Sequence, residues 1–178
     1  MSRFKLSVIR AFAPVAHSAV LAAMLALLMP AIAHARENLG MYGIWGVFRD
    51  PDLPRCYAIA KAIPSTLHRD YEPYAAIGTW PKRKLRNQVH FRMSRKLASD
   101  PRLVLRISGE RFNLTGGGGD AWPVDARMNA AIIARMRSAT SMTVSARGAN
   151  GKGFSNTWKL DGVASAMDAA AIGCAKAR

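Results

Sequence analysis

Apolar and polar positions alternate through the middle of the chain. Val89, Phe91 and Met93 share one parity, while His90, Arg92 and Ser94 share the other. Leu103, Leu105 and Ile107 repeat the pattern against Val104 and Arg106. Phe112 and Leu114 continue it against Arg111, Asn113 and Thr115. Successive side chains of a strand point to opposite faces, so this period of two marks antiparallel strands with one buried face. Ser108-Gly109-Glu110 reads as a hairpin joining two of them. Shorter strands are expected over residues 43–48, 55–60, 74–80, 142–145 and 154–160. Residues 49–54 form a turn, since Pro51 and Pro54 fix φ and remove donors. Residues 62–73, with Pro64 and Pro73, read as an irregular loop, and residues 36–43 as a loose leader into the first strand. Asn150-Gly151 is a strong hairpin signal between the last two strands.

Two segments leave the β pattern. Asp125 can cap a helix over about 126–138, whose apolar stripe is Met128, Ala131, Ile132, the stem of Arg135 and Met136. A second helix is expected over about 163–175, with Val163, Met167, Ala170 and Cys174 on one face. The sum predicts a mainly β fold, an antiparallel β-sandwich or flattened barrel of about eight to ten short strands with two short helices.

The N-terminus has a different character. Arg3, Lys5 and Arg10 precede an uncharged run from Ser18 to Ala33, and Ala33-His34-Ala35 follows Pro30. This is the basic, apolar and small-residue order of a cleavable secretory signal over residues 1–35. The run is shorter than the roughly 20 residues that a spanning helix needs, which argues against an uncleaved anchor. No Cys lies at the cleavage point, so no lipoprotein is indicated. Residues 36–178 then form a single domain of a periplasmic or secreted protein. Cys56 and Cys174 both lie in that part, and an oxidising compartment favours pairing them.

Charge narrows the partners. The chain holds 26 Lys and Arg against 11 Asp and Glu, a formal net charge of +15. The leader carries three of these cations and no acid, which leaves +12 (15 − 3) on the mature part. Lys82, Arg83, Lys84 and Arg86 are followed by Arg92, Arg95, Lys96, Arg102 and Arg106, with Asp100 the single acid between Pro81 and Arg106. On a hairpin, Arg92 and Arg106 would project from the solvent face while residues 82–86 form one end. Such a patch attracts an anionic surface or polymer. The candidates are anionic lipid headgroups, an acidic glycan or another envelope protein. Nucleic acid suits the charge but not the compartment. Lys82, Arg83, Lys84, Arg86, Arg92, Arg95, Lys96 and Arg106 are the candidate anion-binding residues.

Little points to catalysis. The mature part has two histidines, His68 and His90, neither at ligand spacing from another His or a free Cys, so no metal or other cofactor is expected. His90, on the polar parity of its strand, reads as a surface histidine. No Gly-x-Ser-x-Gly elbow occurs. Most acids lie in turns or at helix starts, where capping explains them. Gly116 to Gly119 lacks a following Gly-Lys-Ser/Thr and reads as a hairpin tip. Trp45, Trp80, Trp122 and Trp158 lie in or beside strands, where core packing is the default and a sugar-stacking surface the alternative.

These pieces have a familiar order. The run Trp45-Gly46-Val47-Phe48-Arg49-Asp50 is followed closely by Arg55-Cys56-Tyr57-Ala58-Ile59-Ala60. Ala121-Trp122 then precedes an Ala/Ile/Met helix, a Ser-Met-Thr-Val strand, a Phe-to-Leu strand and a C-terminal helix ending at Cys174. Over about residues 43–175 this resembles the invasion-associated locus B family of proteobacterial periplasmic proteins. The resemblance implies a non-enzymatic periplasmic protein with no catalytic residues to carry over. In some pathogens the family is linked to host-cell invasion. The basic stretch from 82 to 106 is not part of the resemblance. An envelope hydrolase acting on glycan or peptide, and a protein–protein interaction module, are the alternative functions.

Overall fold

The computed structural model describes residues 36–175 except Pro51, so the leader expected over residues 1–35 lies outside the described residues. Eleven strands and two α-helices follow in order. They are β1 (Glu37–Tyr42), β2 (Trp45–Asp50), β3 (Arg55–Lys61), β4 (Tyr74–Trp80), β5 (Leu85–Arg92), β6 (Val104–Ile107), β7 (Glu110–Asn113), β8 (Thr115–Gly117) and β9 (Asp120–Trp122). Helix α1 (Ala126–Met136), strands β10 (Ser141–Arg147) and β11 (Gly153–Lys159) and helix α2 (Val163–Ala175) complete the chain. The strands form two antiparallel sheets, one of seven in the order β1-β2-β3-β4-β5-β9-β8 and one of four in the order β11-β10-β6-β7. The sandwich expectation therefore holds, and the sheets do not close into a barrel. The segment read as a loose leader is the edge strand β1, whose register shifts between Asn38 and Gly40.

Local chemistry sets the turns. Ser108 and Gly109 both take positive φ, 46° and 79°, between Ile107 and Glu110. That is the two-residue turn whose twist matches a hairpin. Gly151 takes φ 76° and the Asn150 side chain accepts from the Lys152 N–H at 3.0 Å, which closes the β10–β11 hairpin. Asp125 caps α1 by accepting from the Met128 N–H at 2.7 Å. The helix ends at Met136, two residues before its expected end. Ile132 and Met136 are its buried contacts, whereas Arg135 turns outward to pair with Glu110.

The core lies between the seven-stranded sheet on one side and the four-stranded sheet with both helices on the other. Val47, Ala58, Ile77, Val89, Phe91 and Ala121 from the first meet Leu105, Met142, Val144 and Trp158 from the second. Val163, Met167, Ala170 and Cys174 of α2 close the β1–β4 end, all of them buried as their spacing predicts. Cys174 and Cys56 form the expected disulfide, with Cα atoms 5.6 Å apart across a sequence separation of 118. No helix among the described residues is long and apolar enough to cross a membrane.

Candidate functional site

The basic residues divide into three places. Lys82, Arg83, Lys84 and Arg86 stand exposed around the β4–β5 connection, where Pro81–Arg83 makes a 3-10 turn. Lys84 closes it with φ 56° and an N–H donated to the Pro81 carbonyl at 3.1 Å. None of these four cations forms an ion pair among the described residues. Leu85 is exposed within the same run, and it lines a hollow of about 490 Å³ together with Arg86 and the exposed Val124.

The other candidates are engaged elsewhere. Arg92 donates to Asp120 at 2.6 Å and lies 3.9 Å from the centre of the Tyr71 ring. Arg95 donates to the His68 carbonyl at 3.2 Å and faces the Phe154 ring. The Lys96 N–H donates to Asp70, and this bond, with His68 alongside, lowers the Asp70 pKa. Arg106 lies on β6 in the four-stranded sheet, near the Ser145 hydroxyl at 3.4 Å. Arg92 and Arg106 therefore do not share a hairpin. The chain leaves β5 and crosses to the other sheet before β6, with Met93, Leu97 and Leu103 buried along the way. Alternation gives each strand a face but does not name its partner strand.

A second feature lies on the face of the seven-stranded sheet turned away from the core. Ala75 and Ile77 of β4 and Val89 and Phe91 of β5 are buried, so the even positions beside them share the opposite face with Tyr57 and Ile59 of β3 and with Asp120 and Trp122 of β9. The pairings Ala76↔His90 and Arg92↔Asp120 align these side chains across the sheet. They line a cleft of about 650 Å³. His90 is not a plain surface residue. Its Nε2 meets Asp120 Oδ1 at 3.0 Å, its ring stacks on Trp122 at 5.4 Å and 23°, and Tyr74 meets it edge-on at 5.6 Å. Trp80 lies across Gly78, where an added Cβ would stand 2.5 Å from an indole carbon. Core packing thus describes Trp45 and Trp158, both fully buried, but not Trp80 and Trp122.

Two buried polar atoms of cleft-lining residues, the Tyr57 hydroxyl and Arg55 Nε, have no hydrogen-bond partner among the described residues. The guanidinium carbons of Arg55 and Arg36 lie 4.8 and 5.6 Å from the centre of the Tyr57 ring. Burial raises the Tyr57 pKa above its ordinary value of 10.0, although both arginines pull it down. The phenol is therefore a proton donor at neutral pH. Arg55 also reaches Asp50 at 3.4 Å, while Arg36 makes no ion pair among the described residues. Among the described residues Asp120 is the one carboxylate lining the cleft, already held by Arg92 and His90. A hydrolase would call for a second acid, or a serine beside a base, and the described lining offers neither. Among the described residues no group of three or more His, Cys, Asp or Glu side chains is placed to hold a metal ion.

The sequence reading passed over Arg36, Arg55, Tyr57, Tyr74 and Asp120. One signal for them was present. Tyr74 and Trp80 share a parity opposite Ala75 and Ile77, an aromatic set on the side of the strand away from its aliphatic set. Compared with protein-family models, curated proteins and solved structures, the chain matches none.

Proposed function

We propose that the chain is a non-enzymatic, exported envelope protein of the invasion-associated locus B type that docks on an anionic membrane surface through the β4–β5 turn. One observation carries this reading. Lys82, Arg83, Lys84 and Arg86 are exposed together and unpaired among the described residues, with Leu85 exposed between them. Cations beside an exposed apolar residue suit an interface where lipid phosphates lie above acyl chains. The Cys56–Cys174 bond is in keeping with an oxidising compartment. Each cation near an anionic surface is worth about 1 kcal/mol, so four are worth roughly a thousandfold in partitioning.

Co-sedimentation with vesicles tests the reading. The protein is expected to bind vesicles containing phosphatidylglycerol at low salt and to leave them as salt screens the charges. It should ignore phosphatidylcholine alone. Replacing the four cations with Ser should abolish binding. Equal partitioning onto both vesicle types, or binding untouched by the four substitutions, overturns it.

A further inference from the structure

We propose a second binding site, separate from the docking turn: the outer-face cleft of the seven-stranded sheet takes an anionic sugar. Tyr57, Tyr74, Trp80, His90 and Trp122 reach it from four different strands. Rings of this kind ordinarily fill a core, and a sheet face that spends them on a cleft offers flat apolar surface to a partly apolar ligand. The apolar C–H faces of a pyranose match such rings, while its hydroxyls need polar partners at the rim. Gln88 and Asp120 supply these. Arg92 and His90 hold both oxygens of Asp120, so the carboxylate is fixed as an acceptor and its charge is offset.

The sign of the ligand follows from what is left unpaired. The Tyr57 hydroxyl and Arg55 Nε are both donors, both buried and both without an acceptor among the described residues, with Tyr57 only 6% exposed. A buried polar group in that condition is expensive, and satisfied ones are the rule. Arg36 adds a cation with no carboxylate partner among the described residues. Donors without acceptors at one end of an aromatic cleft call for an oxyanion. A sugar carboxylate and a sugar phosphate both present that chemistry on a ring that stacks. The cleft, at about 650 Å³, falls within the range of roughly 300–1,000 Å³ usual for small-molecule sites.

The test is a titration of the disulfide-bonded protein, followed by tryptophan fluorescence and calorimetry, with trigalacturonate, glucose 1-phosphate and neutral maltotriose. At least one anionic sugar is expected to bind about tenfold or more tightly than maltotriose, as a charge-assisted hydrogen bond implies. The two anionic probes separate carboxylate from phosphate. Trp122→Ala should abolish binding, and Gly78→Ala should weaken it by displacing Trp80. Arg36→Ala should remove the preference for the anion; Arg36 is exposed and rests on the Tyr57 and Phe48 rings, so the variant's urea midpoint, expected to stay near the parent's, separates lost recognition from lost folding. Lys82→Ser, Arg83→Ser, Lys84→Ser and Arg86→Ser together should leave sugar binding unchanged, so this site and the docking turn fail separately. The proposal is overturned if neither anionic sugar binds, if maltotriose binds as well as they do, or if Arg36→Ala and Trp122→Ala bind like the parent.

Discussion

Tyr57 sits where burial and charge pull in opposite directions. Burial is the larger effect and raises its pKa above 10.0, while Arg36 and Arg55 favour the phenolate. For a phenol raised on folding, the unfolded chain releases its proton first. Stability is therefore full below pH 10 and declines as pH rises beyond the unfolded value. Absorbance titration, with Tyr57→Phe subtracted, should give a midpoint above 10.0, and Arg36→Ala should move it further up. A midpoint at or below 10.0 would show that the arginines outweigh burial. None of this was legible from composition. Four tryptophans in strands look alike in a sequence, and only parity against neighbouring aliphatics separates Trp80 from the core residue Trp158. Tyr57 defeats even that test, because it is buried on the face that parity assigns to solvent.

At the scale of elements, Asn129 of α1 does the work of a missing strand. β5 pairs with β9 at Phe91 and Arg92, which leaves its earlier half unpaired on that side. The Asn129 side chain accepts from the Val89 N–H and donates to the Asn87 carbonyl, both at 2.9 Å. Asn129→Ala should destabilise the fold by about 1–3 kcal/mol, since two part-buried backbone groups lose their partners. Amide exchange at Val89 should quicken selectively; uniform exchange along β5 would count against the idea. β6, β10 and the second half of β5 were readable because one face of each is wholly apolar there. β1 was not, because its register shift interrupts the period of two and its residues are mostly exposed or half-buried. The assignment of β5 and β6 to different sheets was equally hidden, since pairing depends on contacts far apart in sequence.

The described domain is held by one sandwich core and one covalent tie. The Cys56–Cys174 bond spans a separation of 118 residues and fastens α2 to β3 directly behind the cleft. In chain-entropy terms a loop of that size is worth on the order of 5 kcal/mol. Replacing both cysteines with Ala should lower the urea midpoint accordingly; a midpoint equal to the parent's would show that the bond barely restrains the unfolded chain. Spacing on α2 and the two-cysteine count made this tie readable, but the cleft needed the register of four strands at once. That register has a consequence for how the protein can change. Along β9, β4 up to Gly78 and β5 from Gln88 onward, codons of one parity specify the interior and codons of the other specify the outer face. Selection for a new ligand can therefore work through the even positions while the odd ones keep the chain folded. A library randomised at 74, 76, 88 and 90 would diversify recognition on an intact scaffold.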